Sequence, residues 1–132
     1  MSGAAALHEA VGGDAFFERL VDRFYEGVAG DEVLLPLYPE QDDLAGARRR
    51  LSMFLVQYWG GSGAYSEERG HPRLRMRHAP FPIGALERDR WLLHMLAALD
   101  ATVAERGTAP ELRDEMADYF VRAAEHMVNR AG

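Results

Sequence analysis

RMRHAPF, Arg75 to Phe81, and the polar run ahead of it, SGAYSEERGHPR from Ser62 to Arg73, decide how this chain is read. Both lie between two long segments of helical period, so they interrupt an otherwise helical sequence. The polar, Gly-punctuated run predicts a loop with at most one turn of helix, and RMRH then predicts a short helix ending at the Pro80 break. His78 stands at that break among arginines and apolar side chains. The arrangement suits an axial ligand for haem. Such iron is commonly held by one proximal His, while the porphyrin needs an apolar slot, here offered by Met76 and Phe81, and its propionates need cations, here Arg75 and Arg77. A lone histidine near a turn is more often a surface or capping residue. The reading therefore depends on what surrounds the segment.

On the N-terminal side, Leu44, Ala47, Leu51, Phe54, Leu55 and Tyr58 share one helical face opposite Arg48, Arg49 and Ser52. Asp42 and Asp43 are the expected caps, and Gly60-Gly61 after Trp59 the expected stop. On the C-terminal side a long helix is predicted from Ile83 or Gly84 to Glu105. Its stripes, Trp91, Met95, Ala98, Thr102 and Leu92, Leu96, Leu99, Val103, predict a central, largely buried element. Thr108-Ala109-Pro110-Glu111 reads as a capping box with an early proline, opening a last helix with Leu112, Met116, Tyr119, Phe120, Ala123 and Met127 inward and a loose tail after it. Earlier in the chain, a short helix from Ala4 to Val11 ends at Gly12-Gly13. Asp14 then caps a helix to Ala29 with the stripe Phe17, Leu20, Val21, Phe24, Val28. A brief helix from Asp31 through Leu35 is interrupted by Pro36 and Pro39, leaving Tyr38 in a constrained bend. The class is all-α, and 132 residues with 48% hydrophobic content suit one domain spanning 1–132.

The absence of cysteine excludes disulfides, thiolate nucleophiles, Fe–S clusters and a C-x-x-C-H thioether attachment, so any haem is expected to bind non-covalently. The N-terminus lacks a basic segment followed by an apolar core, and no run of about 18 apolar residues occurs, which predicts a cytoplasmic, soluble protein. A net charge of −6 opposes generic binding to nucleic acid or to acidic membranes. The clusters Arg48 to Arg50 and Arg73 to Arg77 stand against it as local anion sites.

With these elements in order the chain resembles the truncated haemoglobins, most closely their second group, the truncated haemoglobin O type. The resemblance is carried by VGG (Val11–Gly13), RFYEGVA (Arg23–Ala29), Tyr38-Pro39, ARRRLSMFLVQYWGG (Ala47–Gly61), YSEERGHPRLRMRHAPF (Tyr65–Phe81) and ERDRWL (Glu87–Leu92), covering nearly the whole chain. It implies a two-over-two helical sandwich around haem b, iron protoporphyrin IX, with the proximal His on a brief helix. By position, His78 corresponds to the iron ligand, and Tyr25, Tyr38 and Trp91 to the polar residues of the distal side. Ala47 stands where many globins carry a distal His, and a methyl donates no hydrogen bond, so ligand stabilisation falls to two phenols and an indole. Leu51, Phe54, Met76 and Met95 are expected as apolar wall, and Arg50 or Arg77 as propionate partners. Gln41 looks like an extra residue in its loop.

The other histidines have plainer readings. His71 is expected to fix its loop, His94 to be satisfied or partly exposed on the central helix, and His8 and His126 to lie near the ends. Arg48 and Arg49 are expected on a solvated face with Glu40 or Asp43. The resemblance implies binding of oxygen, carbon monoxide and nitric oxide, with peroxide as a further substrate. A pocket with several donors suits oxygen, NO or peroxide redox chemistry more than delivery, as a nitric oxide dioxygenase or weak peroxidase fed by an unidentified reductase. The alternative is a haem-based sensor acting through a partner protein.

Overall fold

The computed structural model describes residues 3–38 and 43–130, with the side chains of residues 3–6, 74 and 75 left aside. Pro39, Glu40, Gln41 and Asp42 therefore lie outside the described residues, as does the side chain of Arg75. Among the described residues seven α-helices follow one another: α1 (Gly3–Ala10), α2 (Asp14–Ala29), α3 (Ala45–Tyr58), α4 (Ala64–Arg69), α5 (Leu74–His78), α6 (Ala85–Arg106) and α7 (Pro110–Met127), with a 3-10 turn at Leu35–Leu37.

The apolar stripes explain the packing. α2 presents Phe17, Leu20, Val21, Phe24 and Val28 to the interior, with Phe16 and Tyr25 buried beside them. It lies against α3 and α6, and α6 lies against α7, giving two helix pairs joined through α2 and α6. This is the expected two-over-two arrangement. α6 is less enclosed than its two stripes suggest: Met95, Ala98, Leu99 and Thr102 are buried, whereas Trp91, Leu92, Leu96 and Val103 are half-buried. Trp59, read only as a helix end, is a core residue stacked on Phe17 and edge-on to Tyr119 and Phe120.

Several boundary expectations are corrected. Asp14 is the first residue of α2 and does not cap it, because Gly13 (φ 79°) takes the cap position and the Asp14 carboxylate pairs with His8 Nε2 at 2.7 Å. Pro36 does not interrupt a helix but sits in the first turn of the 3-10 segment, where a missing N–H costs nothing. Thr108 is displaced from the cap of α7 by Ala109, with Pro110 as first residue. The polar run holds more than one helical turn, since Gln57 accepts from Ser66 N (2.9 Å) and donates to Ser66 Oγ (2.8 Å), anchoring α4 to α3. Arg48 pairs with Asp22 and Arg49 with Glu68, partners distant in sequence. Nor is the tail loose through Arg130. Asn129 N and Arg130 N donate to the Ile83 carbonyl at 2.8 and 3.1 Å, and Asn129 Oδ1 accepts from Ile83 N at 2.9 Å.

Candidate functional site

Between the helix pairs lies a cavity of about 580 Å³, within the usual size of ligand pockets (~300–1,000 Å³). Its wall is drawn from α2 (Tyr25), the 3-10 turn and its exit (Leu37, Tyr38), α3 (Ala47, Arg50, Leu51, Phe54), α4 and α5 (Tyr65, Arg69, Arg77, His78), α6 (Trp91) and α7 (Tyr119, Phe120, Ala123, Met127).

His78 is the last residue of α5. Its position is set from both directions along the chain. Arg73 adopts the left-handed conformation (φ 43°), uncommon for a residue with a side chain, and its carbonyl accepts from Arg77 N at 3.0 Å to close the turn. His71 Nδ1 accepts from Arg73 N at 3.2 Å, the loop-fixing part expected of that histidine. Arg77 donates through Nε to the Pro72 carbonyl (2.8 Å) and through a terminal nitrogen to the Arg69 carbonyl (2.7 Å), and lies over the Tyr65 ring at 6.0 Å. After the helix, the His78 carbonyl accepts from Phe81 N (3.0 Å) and from Asn129 Nδ2 (3.3 Å).

The polar wall is built from rings. Phe24, fully buried, meets Tyr25 edge-on at 4.9 Å and Trp91 at 5.3 Å, so one apolar ring spaces the phenol and the indole. Tyr38 meets Tyr25 edge-on at 5.7 Å, and the two hydroxyls interact. Burial pushes the Tyr25 hydroxyl up to about 12, against the lowering effect of the Tyr38 hydrogen bond and of the Arg50 and Arg48 charges. Burial also raises Tyr38 well above its ordinary value, with Tyr25 adding to the rise. Both phenols therefore keep their protons near neutral pH.

Most residues singled out in the sequence thus converge: His78, Tyr25, Tyr38, Trp91, Ala47, Arg50, Leu51, Phe54 and Arg77 all line one cavity. Met76 and Met95 do not. Met76, two residues before His78 and so on the opposite side of a helical turn, is 62% exposed. Met95, one turn (~6 Å) beyond Trp91, is fully buried in the core. Arg69, Tyr65 and the α7 residues Tyr119, Ala123 and Met127 were missed. The last three recur at i, i+4 and i+8, a stripe that read as core and could equally have been read as pocket wall.

An apolar slot of this volume, with His78, four arginines and the donors of Tyr25, Tyr38 and Trp91 on its wall, has the donor set a haem requires: an imidazole for iron, hydrocarbon for the ring, cations for propionates. Fold and site together define a small helical haem-pocket protein. A family model described as "Bacterial-like globin" matches residues 6–129. The Bacillus subtilis group 2 truncated hemoglobin YjbI is 42% identical over 125 residues, covering 95% of this chain and 89% of that protein. Among solved structures, a thermostable hemoglobin from Thermobifida fusca superposes with a TM-score of 0.88 at 57% identity, covering 93% of this chain and 96% of that one. The group II truncated hemoglobin of Bacillus anthracis gives 0.86 at 40% identity, covering 96% and 92%. The chain belongs to the bacterial-like globins, as a truncated haemoglobin of the second group. Membership brings a haem cofactor and the binding of small gaseous ligands such as oxygen. Among the described residues no helix is long and apolar enough to cross a membrane.

Proposed function

We propose that the whole chain acts as one domain that holds haem b non-covalently, with His78 as the iron ligand and Tyr25, Tyr38 and Trp91 as donors to a diatomic ligand. The observation that carries this reading is the convergence of all four residues on one cavity. When bound, the haem supplies a redox-active iron that takes oxygen, carbon monoxide and nitric oxide. Arg77, whose Nε and one terminal nitrogen are committed to backbone carbonyls, acts as a fixed positive charge for a propionate, and Arg50 and Arg69 add to it.

Tyr25 and Tyr38 each bring one O–H, and both line the cavity. Trp91 contributes an N–H that cannot be lost to acid–base equilibria. A hydrogen bond to a charged acceptor contributes roughly 1.5–3 kcal/mol, so each well-aligned donor slows release about ten- to hundredfold. Two such donors make the pocket a holder of oxygen. That favours conversion of oxygen, nitric oxide or peroxide, with electrons from a reductase, over delivery. His78 is the only histidine among the cavity-lining residues, so no distal His–Arg pair supports a strong peroxidase.

The test is the visible absorption spectrum of the purified protein as isolated, reduced, and reduced with carbon monoxide. A Soret band behaving as for His-ligated haem is expected. Failure to take up haem, even after reconstitution, would overturn the reading.

A further inference from the structure

Tyr25, Tyr38 and Trp91 come from three different elements, and no side chain among them fixes all three. A node outside the cavity wall does. The Asp31 side chain has no solvent exposure. Its Oδ1 accepts from Val33 N (2.8 Å) and Leu34 N (3.1 Å), its carbonyl accepts from Leu35 N (3.0 Å), and its own N–H donates to the Val28 carbonyl (3.0 Å). One residue therefore holds the whole corner between the end of α2 and the 3-10 turn. Tyr38 is the next residue out, with its N–H on the Leu35 carbonyl at 3.0 Å.

The other carboxylate oxygen reaches α6. Asp31 Oδ2 accepts from Arg90 Nε at 3.0 Å and meets His94 Nε2 at 2.6 Å. These partners bracket Trp91, one residue before it and three after, so α6 cannot turn or slide past the corner without breaking a bond to a buried charge. The third element is engaged through shape. The His94 ring lies so close to Gly27 in α2, two residues from Tyr25, that a methyl there would meet His94 Cγ at 2.9 Å. Burial raises the Asp31 carboxyl, but the bonds from His94, Val33, Leu34 and Arg90 outweigh it and hold it at about 2. An anion without solvent is costly once a partner is lost, so removing His94 drives the corner open toward water.

We propose that Asp31, with His94 and Arg90, is the positioning node that sets Tyr38 and Trp91 against each other across the cavity and thereby governs how long a diatomic ligand stays. The inference rests on the ligand-binding reading above.

The experiment compares four variants of the haem-loaded protein by the infrared stretch of carbon monoxide, by stopped-flow oxygen release and by thermal unfolding. His94→Leu removes the donor, His94→Gln keeps one, Gly27→Ala wedges the ring away, and Met116→Ala is a core truncation at a residue that belongs neither to the node nor to the cavity lining. His94→Leu and Gly27→Ala should shift or split the carbon monoxide band and speed oxygen release about tenfold, the loss of one charged hydrogen bond. His94→Gln and Met116→Ala should keep the parent band, the latter despite a lower melting temperature. A parent-like band and release rate in both His94→Leu and Gly27→Ala would overturn the proposal. So would a band in Met116→Ala displaced as far as theirs. Should His94→Leu fail to fold, Gly27→Ala carries the comparison. If the parent takes up no haem, the ligand-binding reading fails separately, and NMR of the protein decides the node. Loss of the Tyr25–Tyr38 ring contact in Gly27→Ala but not in Met116→Ala would support it, and retention in both would overturn it.

Discussion

The two sides of the cavity are held in different ways. On the Tyr25–Tyr38–Trp91 side, rings pack edge to edge around fully buried Phe24, and the corner is pinned by a carboxylate with no solvent exposure. On the His78 side, two helices of six and five residues, too short to persist alone, are tied by Gln57, by Arg77 to two carbonyls and by Asn129. The donor wall is thus continuous with the hydrophobic core, and the histidine wall is a polar appendage to it. Changes on one side should appear in ligand rates, and changes on the other in retention of the cofactor.

The largest effect expected is at the histidine wall. His78→Ala should abolish the His-type ferrous haem spectrum, and an unaltered spectrum would remove His78 from the ligand role. Next, Tyr25→Phe and Trp91→Phe should each speed oxygen release by about tenfold or more in stopped flow, at nearly unchanged haem retention. Tyr38→Phe should act in the same direction, since Tyr38 lines the same cavity. The double mutant Tyr25→Phe/Trp91→Phe shows whether the donors substitute for one another. Asn129→Ala tests the opposite side. It deletes bonds to the His78 and Phe81 carbonyls and to Ile83 N, which should cost about 1–3 kcal/mol and hasten haem transfer to an acceptor globin with little change in oxygen release. Equal effects on both rates would erase the distinction between the walls.

A smaller effect concerns acid. The Asp31 carboxyl is lowered from 3.8 to about 2, so its contribution to stability is complete above about pH 4 and lost as pH falls through about 2. The gap in unfolding free energy between the parent and Asp31→Asn should therefore narrow across that interval. A gap independent of pH would show that the charge is not what stabilises the corner. Smallest of all, Arg49→Gln should leave the melting temperature within error, since the Arg49–Glu68 pair is exposed on both sides.

Much of this was legible in the sequence where the physics is local. α2 starts after Gly12-Gly13 and ends at Ala29 as its stripe implies, and His78 falls on a short helix because Pro80 and the polar run leave little room for more. Candidate site residues that line one cavity were legible through long motifs in the right order rather than through any single residue. What escaped was set by distance along the chain. Helix caps moved by one residue when Asp14 found His8, and the partners of Arg48 and Arg49 lie on other helices. Asp31 and His94 are 63 residues apart, and nothing in the composition of either segment announces their pairing. Met76 and Met95 suited a cofactor wall by type, but their angular and axial offsets from His78 and Trp91 carry them elsewhere.

Asn129 fastens the turn that bears His78 from 51 residues further along the chain. At a synthesis rate of about 5–20 residues per second, that separation corresponds to roughly 3–10 s on the ribosome. During this interval α6, with Trp91, and α7 are made, while the turn that bears His78 still lacks its latch. The latch on the turn that bears His78 is therefore available only once α6 and α7 have been made.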